Sequence, residues 1–310
     1  MIYYVIVAPF VIIILYMVLF VSFKFLGFKR LPYEMFMNSP VLLTDNKIIA
    51  TKSEHLKEYL ISIHPNMYKI KAPMVTDIFN KELFIKNYTN SIIPVSENYL
   101  TMLNEYIQKC NKLLHKYPVF GRYKWEFMMS NNNLEQNMPF TIDQYIILPS
   151  ILLKSLHETY KHGHYKSDFI NTLIHEKIHV IQRFNQEQFD NFYIMYYKHF
   201  LSRKYTDIIP ESLQKRHMSN PDSNNSIWLY TIKNHTYLPL LIYENESFHS
   251  YGYNLENLSD IINLDKYKYD LGYKYDVSFY HPNEVFACEM SGYIISNMSS
   301  NICDKFIKNL

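Results

Sequence analysis

Cysteine is scarce in this chain, and so is any excess of charge. Cys110, Cys288 and Cys303 are the only three cysteines in 310 residues. They form no Cys-x-x-Cys pair and are odd in number, which argues against a disulfide framework and for free thiols in a reducing compartment. The formal net charge is +2 and the lysines are scattered, so no field of one sign marks the chain for nucleic acid. Charge is also missing locally: residues 2–23 carry none and are almost wholly apolar, about the length that crosses a hydrocarbon core as a helix.

That run reads as an uncleaved membrane anchor. A cleaved signal peptide would have a basic start, a shorter apolar stretch and a small-x-small site; here Lys24, Lys29 and Arg30 follow the run instead. Positive charge on that flank places the large domain on the cytoplasmic side, in agreement with the free thiols. The Asn-x-Ser/Thr triplets at Asn87 and Asn234 are what an Asn-rich chain produces by chance. At 48% hydrophobic, the rest has ample material for a core. Heavy use of Asn, Ile, Lys and Tyr with little Gly and Ala resembles proteins of AT-rich genomes, including those of large DNA viruses; a virion or host membrane is one candidate seat of the anchor, and the sequence does not disclose which membrane holds it.

The remaining chain mixes helix and strand patterns. Residues 41–49 read as a strand or hairpin, 53–63 as a short helix, and 96–115 as a longer helix with Tyr99, Met102, Leu103, Tyr106, Ile107 and Leu113 on its apolar face. The alternating, aromatic 123–129 reads as a strand. Residues 138–149 read as a hairpin turning near Asp143 and Gln144, followed by a helix over 150–156. The open edge of that hairpin is expected to accept an extended peptide as an added strand. His157, His162 and His164 read as part of a loop broken by Gly163. Aromatic residues at helical spacing continue over 189–203, two strands follow over 227–243, and 244–275 is tyrosine-rich and irregular. The expected divisions are an anchor at 1–27, a mainly helical structural region at 28–118, and a larger domain at 119–310 with an aromatic-rich insertion at about 205–278.

The chemistry concentrates at His175-Glu176-Lys177-Ile178-His179. Apolar residues at helical spacing surround it (Phe169, Ile170, Leu173, Ile174, Ile178 and Ile181), with Ser167 as the expected N-cap and Asp168 favouring the helix's positive end. On a helix the two imidazoles leave the same face one turn apart and can share one metal ion, with Glu176 beside it to hold a water. A third ligand is then required. His199 lies in an aromatic stretch that reads as core. The stronger candidate is Glu284, in Tyr280-His281-Pro282-Asn283-Glu284: Pro282 suits a first helical position, and a carboxylate in the first turn of a buried helix is costly unless paired or metal-bound.

His175-Glu176-Lys177-Ile178-His179 together with Asn283-Glu284 resembles the zincin metallopeptidases, and among them the gluzincin group. The metzincin pattern is absent, since Gln182 and Asn185 stand where it needs Gly and His. The resemblance implies an α+β zincin-like domain over roughly 120–300, with a mixed sheet, an edge strand packed on the metal helix and a C-terminal helix. It implies zinc held by His175, His179 and Glu284, Glu176 as general base and acid, and a peptide or protein substrate. The interval of about a hundred residues to Glu284 is long for this group. Cys288 stands four residues after Glu284, where an acidic supporting residue is common, with Glu289 next to it. Tyr280, His281, Tyr251 and His249 are unranked candidates for stabilising the transition state. The alternative reading is a catalytically silent zincin fold with a structural or interaction role at a membrane.

Overall fold

A computed structural model describes residues 53–74, 80–197, 200–204, 209–223, 226–245, 247–267, 279–296 and 299–308. The expected membrane helix over 2–23 and the strand over 41–49 lie outside the described residues; among these, no helix is long and apolar enough to cross a membrane.

The first described helix is α1 (Glu54–Ser62), where Ser53 Oγ accepts the Leu56 N–H at 3.0 Å and so supplies one of the partners a helix start needs. In order follow α2 (Lys81–Asn90), β1 (Ile92–Pro94), α3 (Leu100–Leu114), β2 (Glu126–Ser130), β3 (Phe140–Ile142), β4 (Tyr145–Pro149), α4 (Ser150–Lys161), α5 (Ser167–Phe184), α6 (Gln186–Tyr196), β5 (Phe200–Lys204), β6 (Trp228–Ile232), β7 (His235–Glu244), β8 (Ser247–Asn254), β9 (Ile261–Asn263), α7 (Pro282–Ser296) and α8 (Asn301–Lys308). The class is α+β.

Two sheets organise these elements. The first is mixed, in the order β1-β2-β4-β3, with β2 and β4 parallel and the outer strands antiparallel. Its edge strand β3 packs on α5, as does β4. β1 and α3 come from the N-terminal region yet share this sheet and its core. The second sheet, β5-β6-β7-β8-β9, is an antiparallel meander. Lys233 and Asn234, both with positive φ, make the β6–β7 turn. Gly252 allows β8 to approach β9: a Cβ there would stand 3.1 Å from Ile262 Cγ1 and 3.2 Å from Tyr237 Cβ. On the far side, Phe306 of α8 packs its ring against Phe286, Phe189 and Phe192 at centroid distances of 4.7–5.2 Å.

Several expectations are corrected. α4 runs through Lys161, so His157 is helical and packs edge-on against Tyr99; Gly163 at φ 76° ends that element. The helical aromatic pattern stops at Tyr196, and Phe200–Lys204 is a strand whose partner β6 lies about thirty residues on, a pairing that local periodicity does not show. The stretch expected to be irregular holds β8 and β9, with β8 paired along its length to β7.

The outer edge of β3 was expected to be open, and it is closed. Thr141 points outward, and its N–H donates to Asp222 Oδ1 at 3.0 Å while its C=O accepts from Arg183 Nη2 at 3.3 Å. The short turn Pro221–Ser223 thus covers the strand, with the Arg183 and Asp222 side chains completing its hydrogen bonds.

Candidate metal centre

α5 carries His175 and His179 as its periodicity predicts. Phe169, Leu173, Ile174, Ile178 and Ile181 are buried, and the two imidazole centroids lie 4.6 Å apart. Its start differs from expectation: Ser167 is the first helical residue, and Lys166 occupies the cap position with its N–H donated to the Tyr106 hydroxyl at 2.9 Å. Lys177, inside the motif, is also buried. Its amine donates to the carbonyls of Tyr123 and Lys124 and lies over the Trp125 ring, and burial pushes it down to about 7. Lys177 thereby ties the back of the helix to the chain entering β2.

α7 brings Glu284 to the two histidines. Its Oε2 lies 3.4 Å from His175 Nε2, its Oε1 lies 3.4 Å from His179 Nε2, and the two Nε2 atoms are 2.9 Å apart. A tetrahedral zinc with bonds of ~2.0–2.1 Å sets its ligand atoms ~3.3 Å apart; each imidazole lies near that spacing from a different oxygen of Glu284, and the His–His spacing is somewhat shorter. One donor atom from each residue lies within 4.8 Å of the others, a donor set of two imidazoles and a carboxylate that suits zinc. His199, the other candidate ligand, lies outside the described residues.

The groups behind the ligands decide which nitrogen is free. Gln182 Nε2 donates to the Asn283 carbonyl at 3.0 Å and to the Tyr193 hydroxyl at 2.9 Å. A carbonyl only accepts, so the amide nitrogen must face it, and Gln182 Oε1 faces His179 Nδ1 at 2.8 Å. Nδ1 therefore carries the proton, which leaves Nε2, on the side of Glu284, as the atom available to a metal. Asn283 is held in turn, accepting from Tyr193 at Oδ1 and donating from Nδ2 to the Asp222 carbonyl at 3.0 Å. Behind His175 stands Cys288, with Sγ 3.8 Å from Nδ1, whereas Glu289 accepts from Ser300 Oγ instead. Of the two residues left open by the sequence, Cys288 is the neighbour of the histidine. Gln182→Leu is expected to weaken zinc binding about 10–100-fold, read by competition with a chelator of known affinity.

Burial would lower both histidines, but Cys288 and Glu284 raise His175 and Glu284 and Asp222 raise His179. Burial would raise Glu284, and His179 and His175 hold it well below the usual carboxylate range. Glu176 is the unsatisfied member. Burial, then Asp222, push it up to about 8, and its Oε2 has no hydrogen-bond partner among the described residues. A cation on the adjacent ligands would favour its ionised form.

Glu176, His175 and Glu284 line a cavity of about 350 Å³ shared with Asn171, Thr172 and Tyr280. Of the four unranked candidates, only Tyr280 lines it. Asn220 Nδ2 donates to the Tyr280 hydroxyl and, at 2.8 Å, to Glu284 Oε1; burial, then Glu284, hold that hydroxyl protonated. Tyr251 donates to Glu244, and His249 packs on Tyr251 in β8. His157, His162 and His164 do not reach the cavity. Asn220, Asp222, Gln182 and Tyr193 were not anticipated; of these only Gln182, three residues after His179 on the same helix face, carried a local signal.

His281 is the N-cap of α7. Its Nδ1 accepts the Asn283 N–H at 3.1 Å, its Nε2 meets Ser226 Oγ at 3.1 Å, and burial holds the imidazole down at about 3. An unfolded histidine protonates near 6.5, so the unfolded state binds the extra proton first. The stability that neutral His281 contributes is complete above about 6.5 and is lost as pH falls towards 3, by up to about 1.4 kcal/mol per pH unit. Urea unfolding of zinc-free protein between pH 6.5 and 4 is expected to show a shallower loss for His281→Asn, which keeps a cap without titrating.

Comparison of the chain with models of known protein families, with curated proteins and with solved structures finds no match.

Proposed function

We propose that this chain is a zinc-dependent peptidase of zincin type, gluzincin-like in its ligand set. One observation carries the reading: a buried carboxylate with an unpartnered oxygen, Glu176, stands beside three donors converging from two helices. His175, His179 and Glu284 would hold the metal. Bound zinc lowers the pKa of a water towards neutrality and polarises a carbonyl oxygen. Glu176 takes the proton of the attacking water and returns it to the departing amine. Gln182 would keep His179 Nε2 available to the metal, and the Tyr280 hydroxyl, on the cavity wall beside Glu284, would donate to an oxygen gaining charge.

Purified protein is expected to carry one equivalent of zinc and to cleave peptides, with both lost to a chelator and restored by zinc. The alternative, a zincin fold that holds zinc without turnover, draws on the closed edge of β3; full zinc occupancy with no amide cleaved would establish it. We further assign residues 2–23 to a membrane anchor, with Lys24, Lys29 and Arg30 and the domain on the cytoplasmic side. Extraction by alkaline carbonate, or protection of the intact domain from protease in the opposite sense, would overturn that assignment.

A further inference from the structure

We infer that the substrates are short peptide segments gripped by one large apolar side chain, and not extended chains added to the sheet; this rests on the hydrolytic reading above. Strand addition draws its affinity from free main-chain groups along a sheet edge. On the outward side of β3 and its turn, the groups of Thr141 and Asp143 are spent. Pro139 has no N–H. The Thr141 N–H goes to Asp222 Oδ1, and the carbonyls of Thr141 and Asp143 accept from Arg183 at 3.3 and 2.9 Å. Freeing them would break the Arg183–Asp222 pair, whose side chains are only 10% and 4% exposed, and would leave both charges without partners in a dry site.

Recognition falls instead to the cavity. At about 350 Å³ it lies at the small end of the ~300–1,000 Å³ usual for ligand sites. Met138, Pro139, Phe140, Met218, Leu241 and Phe248 line it together with the polar Asn171 and Thr172. Its charged residues away from the metal are already engaged. Glu135 accepts from Lys71 and from the hydroxyls of Tyr59 and Tyr88, and the Lys71 amine also donates to the Ser219 carbonyl. Among the lining residues, then, no free anion awaits a peptide's ammonium end and no free cation awaits its carboxylate end. Capped internal segments with a Phe- or Leu-sized residue at the scissile bond fit this wall. Cleavage breaks the amide C–N bond, with water supplying hydroxyl to the acyl carbon and a proton to the amine.

The test uses zinc-loaded protein and acetylated, amidated peptides of three to ten residues carrying a single Leu or Phe. We expect kcat/KM to change less than about threefold with length and to fall about 10–100-fold when the apolar residue becomes Ser. Met138, 42% exposed, offers a variant that keeps the fold: Met138→Lys should raise KM for these peptides about tenfold, leave kcat unchanged, and improve relative cleavage of a peptide with Glu in that position. A rise of 100-fold or more with length, cleavage confined to uncapped ends, or an unchanged preference in Met138→Lys would overturn the inference while leaving a peptidase. No cleavage at any length with zinc bound would overturn both.

Discussion

Glu176→Gln is expected to lower kcat for peptide cleavage about 10²–10⁴-fold with zinc stoichiometry unchanged. The substitution keeps the shape of a side chain that is 5% exposed and removes only its ability to accept a proton. Because burial and Asp222 already push this carboxyl up to about 8, the neutral amide relieves a cost in the zinc-free protein, which is expected to hold or gain stability. Three readouts on one preparation separate the possibilities: metal content, turnover, and the urea midpoint without zinc. Retained turnover would remove Glu176 from the mechanism. Lost zinc would instead make it part of the ligand set.

The largest expected stability effect lies at Lys71 and Glu135, an ion pair at 2.5 Å whose side chains are 1% and 4% exposed. The hydroxyls of Tyr59 and Tyr88 each donate to Glu135 Oε1 at 2.7 Å. Glu135→Gln leaves a buried ammonium without its counter-charge, and burial already lowers the Lys71 pKa; the expected loss is about 3–5 kcal/mol. Lys71→Met with Glu135→Gln is expected to recover most of that loss, because an uncharged interior no longer carries an uncompensated ion. Urea unfolding of both singles and the double completes the cycle. Single losses below about 1 kcal/mol would show the pair to be solvated in solution. Lys71 also holds the Ser219 carbonyl, next to Asn220, which bonds Glu284, so the single variants are expected to lose turnover along with stability.

Much of the site was legible in order of sequence distance. A four-residue spacing within an apolar stripe placed His175 and His179 on one face of α5, and Pro282 before Asn283-Glu284 marked the start of α7; both are local regularities. The β3–β4 hairpin with its turn at Asp143 was equally readable. The same local logic misjudged β5 and β8, whose strands exist because distant partners supply their hydrogen bonds. Ser167 looked like a cap, but it is the first helical residue, and Lys166, held by the Tyr106 hydroxyl sixty residues away, stands at the cap position with no side-chain cap bond.

By itself, then, the sequence determined the helix that presents the histidines, the helix that starts at Pro282, and the carboxylate Glu176 beside the first ligand, because helical periodicity and capping act within a few residues. Tertiary structure alone decided which groups complete them. Gln182 selects the His179 tautomer only because α7 brings the Asn283 carbonyl to its amide. Cys288 reaches His175 across 113 residues. Asp222 closes the β3 edge across 81 residues. Buried polar groups must find partners wherever the packed chain delivers them, and that delivery depends on the whole core.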